Sequence, residues 1–131
     1  MITPDQIAYL AGQTLGRLAT VDSTGAPQNN PVTFRYNAEL GTIDIGGHNL
    51  GTSRKFRNLA HNDRVAFVVD DIASYQPWRV RCVEIRGRAE ALTGQPPLRP
   101  GFSAELIRVH PERVIAFGLT ETGAAPPKAA D

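Results

Sequence analysis

The chain has 131 residues, of which 41% are hydrophobic and 21% charged, so it is long enough to bury one hydrophobic core. Its formal net charge is +1, and its fourteen basic residues are spread among thirteen acids, so the composition indicates neither a nucleic-acid nor a membrane partner. Cys82 is the one cysteine, which excludes an internal disulfide and a cysteine-based zinc site.

The ends of the chain carry no targeting pattern. The N-terminus lacks a charged segment followed by an apolar run, and no stretch reaches the ~18 apolar residues of a membrane helix. We therefore expect a cytoplasmic protein with one domain over residues 1–120. Residues 121–131 are rich in Gly, Ala and Pro and predict a disordered tail.

The first half of the chain predicts one helix followed by three strands. Thr3-Pro4-Asp5 has the capping hydroxyl, the proline and the acid that are typical of a helix start, and Gly12 ends that helix. Alternating residues then predict a hairpin with strands at 15–21 and about 28–36. A third strand is predicted at 42–46.

The second half predicts three more strands. The apolar run at 65–69 indicates a central strand, and a long strand follows at 80–92, with a bulge or bend at Gly87. A loop at 96–101, a short helix at 102–109 stopped by His110-Pro111, and a last strand at 114–119 complete the prediction. Six antiparallel strands with short helices predict a mainly β fold, a small and partly open barrel that pairs with a second copy of itself.

The segment after the third strand holds the strongest functional pattern. It predicts a short helix with Thr52 or Ser53 as N-cap, which opens with Arg54 and Lys55. Basic residues at a helix N-terminus cost ~0.3–1 kcal/mol each, and a bound anion such as a phosphate would offset that cost. The alternative is a pair of ordinary solvated charges. Lys55 is the only lysine outside the predicted tail.

The order of these segments resembles the pyridoxamine 5′-phosphate oxidase-like superfamily of split β-barrels, which includes FMN-binding proteins and proteins that use the deazaflavin coenzyme F420. The resemblance is strongest to the small F420-type members. It covers nearly the whole chain except the tail, and the matching segments are LGRLATV at 15–21, GAPQNNPV at 25–32, SRKFRNL at 53–59, NDRVAF at 62–67, VEIRGRAE at 83–90 and IRVHPERV at 107–114.

The resemblance implies a six-stranded antiparallel split barrel that forms a homodimer, with F420, or alternatively FMN, in a cleft between the subunits. The cofactor chemistry would then be a hydride transfer to or from a small-molecule substrate. The residues that the resemblance assigns to the cofactor are Ser53, Arg54 and Lys55 at its phosphate, Asn30, Pro31 and Val32 beside its ring, Ile45 and Gly46 near its ribityl chain, and Arg79 or Arg81 from the second subunit.

Two features leave alternatives open. Trp78 either covers the ring of a ligand or packs against a barrel end. Four arginines lie mostly at alternate positions of one predicted strand and form either a solvated face or a positive rim for the anionic tail of F420: Arg79, Arg81, Arg86 and Arg88. The scattered histidines lack metal-ligand spacing, although His48 lies near the predicted cleft.

Three functions follow from the resemblance. The first is an F420-dependent reductase acting on a small unsaturated or quinone-like substrate. The second is an FMN-dependent oxidoreductase of the same fold, and the third is a carrier that binds flavin or deazaflavin without catalysis. Vitamin B6 oxidase activity is not implied, because the C-terminal arginine and histidine segment of true pyridoxamine phosphate oxidases is not matched by the Pro/Ala-rich tail.

Overall fold

The computed structural model describes residues 1–119; the predicted tail at 121–131 lies outside the described residues. Most of the described residues lie in β-strands. In chain order the elements are α1 (Pro4–Ala11), β1 (Leu15–Val21), β2 (Pro27–Asn37), β3 (Thr42–Gly46), a 3₁₀ turn (Leu50–Thr52), α2 (Arg54–Asn58), β4 (Arg64–Tyr75), β5 (Trp78–Thr93) and β6 (Glu105–Phe117).

The six strands form one antiparallel barrel in the order β1-β2-β3-β6-β5-β4. The mainly β, antiparallel fold predicted from the sequence is confirmed. The strand ladder is closed, whereas the sequence predicted a partly open barrel. Closure on one side comes from β1 and β4, which pair over three residues centred on Leu18 opposite Phe67.

The predicted N-terminal helix is confirmed as α1. Its N-cap Thr3 accepts a hydrogen bond from the backbone N–H of Gln6, and the Gln6 side chain accepts one from the backbone of Thr3. This reciprocal pair satisfies two of the N–H groups that a helix start leaves without partners. Tyr9 and Leu10 then bury the inner face of the helix.

The core consists of apolar side chains that alternate along the strands and point into the barrel. Phe34 and Phe67 meet at its centre in an edge-to-face contact, with ring centroids 5.1 Å apart. Gly16 permits this packing, since a Cβ there would lie 2.5 Å from the Phe67 ring. Neither helix of the described chain has the length and hydropathy needed to span a membrane.

The predicted helix at 102–109 is wrong. These residues enter β6, in which Leu106, Ile107 and Val109 are buried and Ile107 pairs with Ile45 of β3. The local spacing of apolar residues fits a helix turn. In the structure the segment instead forms backbone hydrogen bonds along the edge of β3 that β2 leaves open, and so becomes a strand. Tertiary pairing therefore overrides the local pattern.

His110-Pro111 does not stop an element, because Pro111 lies inside β6. The β5–β6 register shifts between Arg86 and Gly87, and Gly87 stands opposite Pro111. A proline cannot donate to the ladder and is tolerated in a sheet chiefly at such irregularities. A Cβ at Gly87 would lie 2.0 Å from the carbonyl oxygen of His110. The bulge predicted at Gly87 is confirmed, and it explains how the proline is accommodated.

A buried ion pair joins β3 to β6. Asp44, which is 5% exposed, accepts two hydrogen bonds from the Arg108 guanidinium at 3.0 and 3.1 Å. Asn37 and Thr42 donate to the same carboxylate, each at 3.0 Å. Burial by itself would raise the pKa of Asp44, but these hydrogen bonds outweigh it and hold that pKa below its ordinary value.

Replacing Asp44 by Asn should lower the free energy of unfolding by about 3 kcal/mol, because Arg108, whose side chain is only 17% exposed, would keep its charge without its anion. Since the folded-state pKa of Asp44 is depressed, its contribution is complete above about pH 4 and is lost as the pH falls below that. Urea unfolding from pH 7 to pH 3 measures both effects, and the difference between the two proteins should shrink at the acid end.

The matched control is Asp63→Asn, which breaks the exposed pair between Asp63 and Arg88, whose side chains are 2.7 Å apart. An exposed pair contributes at most about 1 kcal/mol. Equal losses in the two variants would contradict a special role for the pair that joins β3 to β6.

Candidate functional site

The segment predicted to bind phosphate forms the start of α2. Ser53 is its N-cap: the hydroxyl accepts from the backbone N–H of Phe56 at 3.4 Å and donates to the carbonyl of Leu50 at 2.6 Å. The prediction of Thr52 or Ser53 as N-cap is thus resolved in favour of Ser53. Because α2 has five residues, little more than one turn, any affinity for an anion rests on side chains more than on a helix dipole.

Arg54 and Lys55 follow directly after this cap. Arg54 is exposed and Lys55 half-buried, and within residues 1–119 neither forms an ion pair with a carboxylate. The pKa of Asp22 is lowered mainly by hydrogen bonds from Thr24 and the backbone of Ala26, and last by the charge of Arg54. Two neighbouring cations thus lie side by side with no carboxylate of the described residues in ion-pair contact.

A chain of amide hydrogen bonds ties α2 to the barrel. The Asn58 side chain, 5% exposed, donates to the Thr20 hydroxyl at 3.0 Å and to the Gln28 side-chain oxygen at 3.1 Å. Gln28 in turn donates to the side-chain oxygen of Asn30 at 2.9 Å. No local pattern in the sequence predicts this network, because its members come from three separate elements, β1, β2 and α2.

The three ring-side residues assigned on β2 occupy different environments. Asn30 is half-buried and Pro31 is exposed, whereas the side chain of Val32 is buried in the core. The network through Gln28 links Asn30 to α2. The structure therefore brings Asn30 and the helix that carries Lys55 into one neighbourhood, with Pro31 beside them on the outer surface.

Ile45 and Gly46 of β3 are not on an accessible surface. Ile45 is 0% exposed and its strand is paired on both sides, with β2 and with β6. Gly46 lies under Leu98, since a Cβ at this glycine would be 2.6 Å from the Leu98 Cβ. The close approach of a loop, which the sequence analysis did not predict, accounts for this glycine.

Trp78, Arg79 and Arg81 lie around the hairpin between β4 and β5. β4 has 12 residues and a strand rises about 3.3 Å per residue, so the hairpin lies roughly 35 Å along β4 from the Arg64 end, which is the end near α2. Within one chain the structure therefore does not bring these residues to Arg54 and Lys55. Trp78 is 61% exposed and contacts the ring of Tyr75, which is 74% exposed, at 5.9 Å between centroids.

Arg81 is engaged in a structural cluster. Its guanidinium donates to both carboxylate oxygens of Asp71 and lies 5.1 Å from the centre of the Tyr9 ring. The Tyr9 hydroxyl also donates to Asp71, at 2.9 Å. Burial, followed by the hydrogen bond to Asp71, raises the pKa of Tyr9, while the hydrogen bond from Arg81 lowers the pKa of Asp71. This cluster fastens α1 to β4 and β5, so Arg81 already has an anionic partner.

The described chain offers little side-chain chemistry of its own. Residues 1–119 contain no group of three or more His, Cys, Asp or Glu side chains arranged to hold a metal ion. Burial raises the pKa of the Cys82 thiol to about 11, so the group is protonated at neutral pH and is a poor nucleophile. His48 contacts Gly101 through Nδ1 and the ring of Phe102.

The closed antiparallel barrel belongs to the split-barrel class of folds. Residues 2–128 match the family model described as pyridoxamine 5′-phosphate oxidase. The chain belongs to this family, and the resemblance noted in the sequence is confirmed.

Known proteins similar to the chain agree with this assignment. A 5a,11a-dehydrotetracycline/5a,11a-dehydrooxytetracycline reductase of Streptomyces rimosus is 52% identical over 118 residues, covering 89% of this chain and 83% of that protein. The family and this relative together indicate an oxidoreductase.

Solved structures show the same fold at low sequence identity. A conserved hypothetical protein of Mycobacterium tuberculosis, Rv2991, is 18% identical, with a TM-score of 0.73 over 100% of this chain and 93% of that one. An FAD binding protein of Mycobacterium smegmatis is 20% identical, with a TM-score of 0.62 over 84% of this chain and 88% of that one.

Proposed function

We propose that the protein is an F420-dependent reductase that delivers a hydride to a conjugated carbon–carbon double bond in a polycyclic substrate of the dehydrotetracycline kind. The observation that carries this proposal is the 52% identity, over 89% of the chain, to a reductase of that substrate class. A dehydro compound accepts a hydride and a proton across its double bond, which is a reaction that a reduced deazaflavin supports.

The residues at α2 fit the anionic end of such a cofactor. Arg54 and Lys55 form no ion pair with a carboxylate of the described residues, and a bound phosphate would give both cations an anionic partner. Ser53 fixes the turn through its cap, and the Thr20–Asn58–Gln28 network holds the turn against β1 and β2. F420 carries glutamate carboxylates in addition to its phosphodiester, so its total negative charge exceeds that of FMN, which ends at a phosphate.

Each part of the chain has a distinct task in the reaction. Arg54 and Lys55 bind the phosphate, and Asn30 and Pro31 orient the ring along β2. Gln28 occupies the Asn30 side-chain oxygen, which leaves the Asn30 amide group to donate to a ring acceptor. The bound deazaflavin supplies the hydride. The protein therefore contributes binding and orientation, and no side chain of residues 1–119 is assigned as a nucleophile.

The proposed site includes residues from a second copy of the chain. Trp78 and Arg79 pair with Tyr75 and Ser74, roughly 35 Å along β4 from the α2 end of the same protomer, so in this proposal they contact the cofactor of a partner subunit. Trp78 and Tyr75 expose large apolar surfaces at the hairpin, which is typical of a surface that another chain covers. A homodimer with the cofactor between subunits satisfies both observations.

Fluorescence titration of the purified protein with F420, and separately with FMN, tests the choice of cofactor. We expect tighter binding of F420, and a loss of about 10- to 100-fold in affinity on Lys55→Ala, because a charge-assisted hydrogen bond contributes about 1.5–3 kcal/mol. The matched control is Arg113→Ala, which removes an exposed cation of β6, a strand separated from β4 by β5. Preference for FMN would favour the flavin-dependent alternative, and unchanged affinity in Lys55→Ala would contradict the phosphate assignment.

Mixing two impaired variants, assayed at an F420 concentration that saturates the wild type but not Lys55→Ala, tests the shared site. If Lys55 of one subunit acts with Trp78 of the other, a heterodimer of Lys55→Ala and Trp78→Ala contains one intact site. Random exchange of subunits then restores about a quarter of the wild-type reductase sites. The measurement is reductase activity after the two variants are mixed and allowed to exchange. Activity that stays at the level of the separate variants, although subunit exchange is verified, would show that each site lies within one subunit.

A further inference from the structure

A concave groove lies between α1, β2 and the loop that joins β5 to β6. Its volume is about 580 Å³, which is within the range for sites that bind drug-sized molecules. Its accessible apolar surface comes from Ile7, Ala11, Tyr36 and Pro100, above the buried side chains of Leu10, Phe34 and Leu98. Two arginines, Arg35 and Arg99, stand in the same groove. None of the residues assigned above to the cofactor lines it.

The two arginines give the groove a positive charge that its own lining does not neutralise. No acidic residue is among the lining residues, and neither Arg35 nor Arg99 forms an ion pair within residues 1–119. Arg35 faces Asp44 across the β2–β3 ladder, but the Asp44 carboxylate is already bound by Arg108. Arg35 itself makes one long hydrogen bond, 3.4 Å, to the carbonyl of Leu98.

The loop wall of the groove is held in place before any ligand binds. Leu98 packs directly on Gly46, as the 2.6 Å approach to a Cβ at that glycine shows. Further along the loop, Ser103 bonds the carbonyl of Gly47 and the N–H of Leu50, each at 3.0 Å, and His48 contacts the carbonyl of Gly101. A wall fixed by this many contacts loses little conformational entropy when a ligand arrives.

The groove adjoins the residues assigned to the cofactor ring. Its β2 residues, Phe34 to Tyr36, follow Asn30–Val32 on the same strand. The segment that anchors its loop wall, Gly46–Leu50, runs directly into the turn that carries Ser53 and Lys55. A ligand in the groove therefore lies beside the part of β2 that is proposed to orient the ring.

We propose that this groove binds the substrate, as a flat, largely apolar polycyclic molecule that carries an ionised enol or carboxylate oxygen. The accessible apolar residues Ile7, Ala11, Tyr36 and Pro100 contact its rings, and Arg35 and Arg99 bind its anionic oxygen. The assignment of this ligand as the substrate rests on the proposed reductase function. The binding itself does not require the cofactor, and this difference allows the two proposals to be tested separately.

Two variants of the groove test the proposal. The double variant Arg35→Gln, Arg99→Gln removes its charge and keeps polar side chains of similar length. Ala11→Phe adds a ring from the exposed C-terminal end of α1, where the groove opens. The matched control is Arg64→Gln, which removes an exposed cation outside the groove. Thermal unfolding confirms that all three variants are folded.

The first readout is binding of tetracycline, followed by its own fluorescence, to each protein without cofactor. We expect the wild type and Arg64→Gln to bind equally and both groove variants to bind at least 10-fold more weakly. Absence of binding to the wild type, or equal binding to all four proteins, would overturn the proposal.

The second readout is steady-state reduction of 5a,11a-dehydrotetracycline with reduced F420. We expect the KM of the groove variants to rise at least 10-fold while kcat and the Kd for F420 stay within about twofold. A loss of F420 affinity with unchanged KM would show that the arginines hold the glutamate tail of the cofactor, which overturns the proposal. Weaker tetracycline binding in the variants without any turnover in the wild type would uphold the groove and contradict the reductase function.

Discussion

The pairing of β6 with β3 is the constraint on which the rest of the structure depends. It joins residues 64 positions apart in sequence at Asp44 and Arg108, and the buried ion pair between them lies in the middle of a ladder of three residue pairs. Once β6 lies against β3, the preceding loop must pass over the end of β3 at Gly46. The barrel is then closed, and the loop becomes both a cover for Gly46 and a wall of the groove.

The same closure sets the position of α2. Between β3 and α2 the chain runs through Gly47–Leu50, which Ser103 and His48 hold to the loop before β6. From there Ser53 begins α2, and Asn58 fastens its end to Thr20 and Gln28. The residues proposed to bind phosphate and the groove proposed to bind substrate therefore share one rigid support. An enzyme that relies on its cofactor for chemistry needs mainly this relative placement of two ligands.

The sequence predicted the elements whose signals are local. Four local predictions agree with the structure: the Thr3 cap, the strand at 42–46, the Ser53 cap and the bulge at Gly87. The caps and the strand depend on residues within a few positions of one another. The bulge was predicted from a glycine inside a strand, which is typical of a close approach between backbones. The segment at 102–109 was predicted wrongly, because its short apolar spacing fits either a helix or a strand, and only the edge of β3 decides between them. Pro111 added to the error, since its tolerance in β6 depends on Gly87 in another strand.

The site was predictable only in part, for the same reason. The neighbouring cations Arg54 and Lys55 broke a local rule for helix starts and were visible in the sequence. The Asp71 partner of Arg81, the burial of Ile45 and the cover that Leu98 forms over Gly46 all come from distant segments, and no local pattern reports them.

Anaerobic mixing of the protein with reduced F420 and 5a,11a-dehydrotetracycline tests the central claim most directly, with the return of oxidised deazaflavin absorbance as the signal. We predict protein-dependent oxidation of one reduced F420 for each double bond reduced, with little reaction when reduced FMN is supplied instead. No oxidation of reduced F420 above the protein-free rate, or a faster reaction with reduced FMN, would contradict it.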